Sequence, residues 1–178
     1  MTKRPQRVQF FAAITEALRA AGARNVLELG SGPGFLARHL RDALPDMRLT
    51  LLDFSPAMHD LARTRLGALA DRVAFIQADF LDPAWSRALG RFDAVVTLQA
   101  VHELRHKARA VTLHAAVRGL LVERGVYLVC DHYAGDDGMQ NHDLFMTADE
   151  QRGALESGDF KRVERVLMQQ GLVLHRAE

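Results

Sequence analysis

Cysteine is all but missing: Cys130 stands alone in the 178 residues. That excludes an intrachain disulfide and any zinc cage built on two or four thiolates, and it suits a reducing compartment, the cytoplasm. Charge of one sign is missing too, with Lys+Arg at 23 against Asp+Glu at 22. A strongly basic nucleic-acid binder and an acidic disordered tail are both excluded. No apolar run reaches the ~18 residues that span a bilayer, so no membrane partner is expected. Repeats, low-complexity tracts and Pro/Gly-rich linkers are absent as well. What remains is an ordinary globular composition, 48% hydrophobic and 25% charged, of a size that predicts one domain over 1–178.

The N-terminal stretch starts basic, as a targeting segment would. Its apolar part is broken by Thr15, Glu16 and Arg19, so no uninterrupted apolar core of a signal peptide follows. Val8, Phe11, Ile14 and Leu18 recur at spacings of three to four, which predicts an amphipathic helix within residues 1–22, ahead of an α/β core over 23–178.

Within that core, short β-rich apolar runs at Val26–Leu29, Leu49–Leu52, Val73–Ile76, Phe92–Leu98 and Val126–Cys130 alternate with helix-like stretches at Leu36–Leu44, Ala57–Leu69 and Lys107–Leu121. Strand–helix alternation implies βαβ units and a parallel sheet covered on both faces. Right-handed crossovers narrow this to a doubly wound α/β sandwich. Residues 131–141 read as a polar loop. Thr147 with Glu150 three residues later predicts a capping box and a helix to about Ser157-Gly158. Phe160–Met168, the turn Gln169-Gln170-Gly171 and Leu172–His175 predict a closing antiparallel hairpin.

The most informative segment is Val26-Leu-Glu-Leu-Gly-Ser-Gly-Pro-Gly-Phe35. Glycines at 30, 32 and 34 follow a buried strand and precede a helix, where they permit a sharp turn and close approach of a ligand to the backbone. Pro33 suits the first turn of that helix. The dinucleotide fingerprint G-x-G-x-x-G/A fails because Phe35 occupies its third position, and no Gly-Lys-Ser/Thr follows to make a P-loop. Asp53 ends the second strand, 23 residues after Gly30, where an acid that binds ribose hydroxyls is expected. Asp79-Phe80 ends the third.

On these residues the chain resembles the class I S-adenosylmethionine-dependent methyltransferases, from Ala23 to Ala177. The resemblance implies a mostly parallel seven-stranded sheet with the C-terminal antiparallel hairpin, and S-adenosylmethionine as cofactor with no metal. It implies that Glu28 and the loop Gly30, Ser31, Gly32 and Gly34 cradle the amino-acid end. It also implies that Asp53, with Phe54 beside it, takes the ribose, that Asp79 and Phe80 take the adenine, and that Leu98 and Gln99 lie opposite the methionine part. His102, His132 and Tyr133 fall where acceptor groups come from, either histidine serving as general base or as a structural hydrogen-bonding residue. The acceptor itself is unspecified, with a small molecule as the default and no nucleic acid expected; the oligomeric state is open.

Two other readings stand beside it. One is a protein that binds the cofactor without catalysis. The other is a zinc hydrolase, because His102-Glu-Leu-Arg-His106 matches H-E-x-x-H. Lys107-Ala-Arg-Ala follows, where the extended zinc form needs Gly and His, so Glu103 and His106 are expected to cap or solvate the next helix.

Overall fold

A computed structural model describes residues 6–178; residues 1–5, the basic start of the predicted N-terminal helix, lie outside them. In chain order it contains α1 (Gln6–Ala20), β1 (Asn25–Leu29), α2 (Phe35–Ala43), β2 (Arg48–Asp53), α3 (Pro56–Leu66), β3 (Val73–Gln77), β4 (Phe92–Leu98), α4 (Ala110–Leu120), β5 (Leu121–His132), α5 (Ala148–Ser157), β6 (Val163–Gln169) and β7 (Leu172–Ala177). Short 3₁₀ turns occupy Gly67–Arg72, Val101–Leu104 and Lys107–Arg109. Among the described residues, no helix is long and apolar enough to cross a membrane.

The strands form one seven-stranded sheet in the order β3-β2-β1-β4-β5-β7-β6. The first five are parallel, and β7 runs antiparallel between β5 and β6. This is the doubly wound, mostly parallel sheet with a C-terminal hairpin that the sequence predicts. The inner strands β1, β2, β4 and β5 are mostly buried on both faces, which is why they read as nearly continuous apolar runs, whereas the edge strand β6 is largely exposed. Val26, Leu49, Leu51, Val96 and Leu128 pack under α1, α2 and α3, through Ile14, Leu18, Leu40 and Leu66. Leu27, Leu29, Val95 and Val129 pack on the other side against Leu113, Val117 and Leu155 of α4 and α5. The strand order reverses between β1 and β4, so their C-terminal ends diverge into a crevice, the usual ligand position of such sheets.

Several boundaries differ from the sequence reading, each for a local reason. The buried face of α1 is Phe10, Ile14, Ala17 and Leu18, whereas Val8 faces solvent; the helix is turned from the predicted stripe because Phe10 fills the core. Gly67, at φ +57, ends α3 before Leu69. Pro33 precedes the helix, since Gly34 is the N-cap of α2. Phe160 belongs to the end of α5, not to a strand. Asp159, at φ +72, lets the amide of Phe160 donate to Leu155 O and its own amide to Glu156 O, a Schellman closure with Phe160 and Leu155 buried together. The Thr147 capping box is present, with Glu150 N donating to Thr147 Oγ1 and Thr147 N to Glu150 Oε2.

Candidate active site

Three glycines shape the bottom of the crevice. Gly30, at φ +63, turns the chain out of β1, and its amide and that of Ser31 donate to Leu52 O of the neighbouring strand at 2.8 and 3.1 Å. A Cβ on Gly30 would lie 2.4 Å from the Ala100 Cβ, so a side chain is excluded by contact as well as by conformation. Gly32 is different: a Cβ there would meet nothing within 4 Å. Its open side is backbone that a ligand can approach.

Asp53 is buried at the end of β2, and its carboxylate ties this loop down. Oδ2 accepts from the Gly32 amide at 2.7 Å and Oδ1 from the Ser55 amide at 2.9 Å. Nearby, Glu28 Oε2 and Ser31 Oγ are buried without a hydrogen-bond partner among the described residues. Buried polar atoms are nearly always paired, so these two mark an incomplete site. Burial, and then the charge of Asp53, push the Glu28 carboxyl up to about 8.

Along the β2–β3 side, Phe54 is 63% exposed and presents its ring to solvent. Asp79 is exposed and closes its own turn, its Oδ1 accepting from Leu81 N at 2.8 Å. Phe80 is half-buried and walls a largely apolar cavity of about 210 Å³ with Leu81, Trp85, Leu104 and Leu113. Leu98, at the end of β4, is half-buried.

The β4–β5 side carries the titratable groups. His102 Nδ1 lies 2.7 Å from Asp131 Oδ1, and the His102 amide donates to Asp131 Oδ2 at 2.9 Å. Asp131 is 3% exposed. A buried carboxylate that binds ring and backbone together fixes the imidazole's orientation and keeps the proton on Nδ1. Nε2 is then the basic nitrogen, 3.5 Å from Glu103 Oε1. Burial lowers the basicity of His102, but the hydrogen bond and charge of Asp131, with Glu103, outweigh it and hold the group above an ordinary histidine.

His132 is arranged otherwise. Gln99, a non-glycine residue at φ +56, accepts from Arg7 Nη2 through Oε1 at 2.7 Å, which turns its amide nitrogen towards His132 Nε2, 2.7 Å away. His132 Nδ1 faces Gly171 O at 3.3 Å. Both ring nitrogens are thus engaged, and Nε2 accepts. The rings of His102, His132 and Phe145 form a cluster with centroids 5.5 to 6.0 Å apart. Tyr133 is not part of it: its hydroxyl donates to Asp137 Oδ2 at 2.5 Å and its ring packs with Ala148 and Val173.

The H-E-x-x-H segment is not one helix. A 3₁₀ turn ends at Leu104, Arg105 takes φ +62, and His106 caps a second turn by accepting from Ala108 N. The four-residue spacing therefore does not stack the two histidines on one helical face. Sequence reasoning placed Asp131 with His132 and Tyr133 at the end of the fifth strand but gave it no role, and it did not single out Phe145 or Arg7. For Asp131 a signal existed, an acid ending the strand beside the one that leads to His102. Phe145 and Arg7 reach the site only through the packing of a loop and a helix.

Residues 26–125 match the family described as a methyltransferase domain. A malonyl-[acyl-carrier protein] O-methyltransferase of Geobacter sulfurreducens is 30% identical over 157 residues, covering 78% of this chain and 56% of that protein. The solved complex of DhpI with SAH superposes with a TM-score of 0.76 at 25% identity, covering 99% of this chain and 87% of that one. The DszA carbon methyltransferase superposes with a TM-score of 0.79 at 16% identity, covering 99% and 55%, a likeness of fold. The chain spans 17 to 56% of the length of the curated relatives it matches.

Proposed function

The chain belongs to the methyltransferase-domain family, and from that premise we propose that it moves a methyl group from S-adenosylmethionine to a small-molecule hydroxyl or amine. The observation that carries the choice of nucleophile is the His102–Asp131 pair, 2.7 Å apart. An acceptor that is already anionic needs no base, whereas a hydroxyl or ammonium must lose a proton.

The residues present fit the cofactor. Glu28 Oε2 and Ser31 Oγ are buried polar atoms that await partners, and Gly32 leaves its backbone open. In this reading Glu28 with Gly30, Ser31, Gly32 and Gly34 holds the amino-acid end. Asp53, with Phe54 beside it, takes the ribose, Asp79 and Phe80 the adenine, and Leu98 and Gln99 the methionine side. When bound, the group supplies an electrophilic methyl carbon open to in-line displacement. The chain's own task is to hold two molecules in attack geometry and to keep water out.

His102 Nε2 then takes the acceptor's proton, and the resulting imidazolium is stabilised by Asp131 and Glu103. His132, already an acceptor from Gln99, positions the acceptor side rather than acting as base. The reading takes the chain as a single domain in a reducing, cytoplasmic setting, with no nucleic-acid partner.

The test is calorimetry with S-adenosylhomocysteine and NAD, followed by transfer of a labelled methyl to panels of phenols, alcohols, amines and thiols. Binding of S-adenosylhomocysteine and turnover on a hydroxyl or amine are expected. Binding of NAD in place of the adenosyl ligand would sink the reading. Adenosyl binding without turnover on any acceptor would favour a non-catalytic binding protein.

A further inference from the structure

Gln151 stands near the start of α5, outside every ligand motif, and is 3% exposed. Its Nε2 donates to His132 O at 2.8 Å and reaches Met146 O at 3.5 Å. Two carbonyls on one side fix the sense of the amide, since a flipped group would set oxygen against oxygen. Oε1 therefore points away from both, and it is buried with no partner among the described residues. Gln151 also lines a cavity of about 10 Å³, together with His102, Lys107, Ala110, Asp131 and Phe145. That is room for one water, which needs two to four polar partners. The walls supply them. Asp131 receives three hydrogen bonds, from the His102 ring and amide and from the His132 amide. A carboxylate has about four acceptor sites, so one is left, on Oδ2. Lys107 Nζ has three donors and gives one to Glu150 Oε1 at 2.7 Å.

We propose that this cavity binds one ordered water, which donates to Gln151 Oε1 and Asp131 Oδ2 and accepts from Lys107, and that Gln151 is thereby a positioning residue for the His102–Asp131 pair. The proposal rests on the reading of His102 as the base. A donor on Asp131 spreads the carboxylate's charge and weakens its hold on the His102 proton. The base is kept near the working pH, where it can both take a proton and give it up. The charged or titratable groups that face the ring are Glu103 on its own turn, Lys107 on the next, Asp131 and His132 on β5, and Glu150 on α5 through Lys107. The competing role is mechanical: Gln151 would only strap the His132 peptide to α5.

The experiment that separates the two needs no acceptor. A high-resolution crystal structure of the wild type should show a water within hydrogen-bond reach of Gln151 Oε1 and Asp131 Oδ2. Histidine-labelled protein would then be titrated by NMR, the His102 signal being the one missing from His102→Ala. Gln151→Leu should raise the His102 midpoint by about 0.5–1 pH unit, the size of one ordinary hydrogen bond. That is the direction opposite to Asp131→Asn. Thermal melts verify folding, and Gln151→Met, of similar length, carries the same test if the leucine variant does not fold. A midpoint moved by less than about 0.2 pH unit with a lowered Tm would show a strap and overturn the proposal, as would a cavity without water. Methyl transfer by His102→Ala as fast as by the wild type would instead remove His102 as the base, and Gln151 as its positioning residue, whatever the midpoint does.

Discussion

Asp131 and His102 are joined twice, Oδ1 to the ring Nδ1 at 2.7 Å and Oδ2 to the backbone amide at 2.9 Å. The ring can neither swing nor exchange tautomers without breaking the first, and the second holds the carboxylate in place, so the other ring nitrogen has a fixed direction. His132, beside it, accepts from Gln99 instead. The two histidines look alike in sequence and differ here in which atom is available.

That difference is measurable. His102→Ala should lower kcat by about 10²- to 10⁴-fold, the range of a positioned general base, while His132→Ala acts mainly on acceptor KM. Asp131→Asn removes the anion that raises the His102 pKa, so the acidic limb of the pH–rate profile should move to lower pH. An unmoved limb in Asp131→Asn, or a His102 effect below about tenfold, would remove His102 as the base.

Asp53 ties the glycine loop and, in the proposed reading, also holds the cofactor's ribose, and its substitution should reveal both. Without its carboxylate the Gly32 and Ser55 amides lose their acceptor, and an unpaired buried group costs about 1–3 kcal/mol. Asp53→Ala should therefore lower Tm as well as weaken S-adenosylhomocysteine by about 10- to 150-fold. An unchanged melt together with unchanged affinity would show that the loop holds its shape without the tie.

In the proposed reading Glu28 makes cofactor binding a proton-linked event. Burial and the charge of Asp53 raise its carboxyl to about 8, so it is mostly neutral at pH 7. A ligand ammonium beside it would favour the carboxylate and expel the proton. Affinity should then rise between pH 6 and 8, and the calorimetric enthalpy at pH 7 should differ between phosphate and Tris. Because the folded pKa lies above the unfolded one, Glu28 destabilises the ligand-free fold increasingly as pH rises through about 8. Glu28→Gln should thus raise Tm at pH 9, weaken the ligand and abolish the buffer dependence. Identical enthalpies in both buffers for the wild type would contradict the assignment.

Acid should weaken the fold through two histidines remote from the crevice. Burial, then the charge of His175, lowers His114 to about 3; burial, then Arg165 and Arg152, lowers His175 to about 4. Asp131 and Asp149 act in the opposite sense on the respective rings. Both rings stay neutral when folded, while the unfolded chain takes up protons below its ordinary value of 6.5. Their contribution is complete above that pH and is lost as pH falls towards 4. The urea midpoint should drop from pH 7 to pH 5, and His114→Leu should flatten that slope. A slope equal to that of the wild type would assign the loss to other groups.

The parallel sheet, its closing hairpin and the glycine loop were legible in the chain itself. Strands buried on both faces must be apolar throughout, a left-handed turn selects glycine, and the Thr147–Glu150 cap is made within four residues. These are local constraints, written as local patterns. The H-E-x-x-H match, set aside on the residues that follow it, had no such local test of its own, since the residues between the histidines carry no sign that Arg105 leaves the helical conformation. The sequence by itself determined the fold and the family to which the chain belongs. Only the tertiary structure gave His102 and His132 their different partners, turned Tyr133 to Asp137, and brought Arg7 to Gln99 across 92 residues. Each of those outcomes depends on which side chain from a distant strand or helix stands within hydrogen-bond reach, and composition, spacing and periodicity carry no record of that distance.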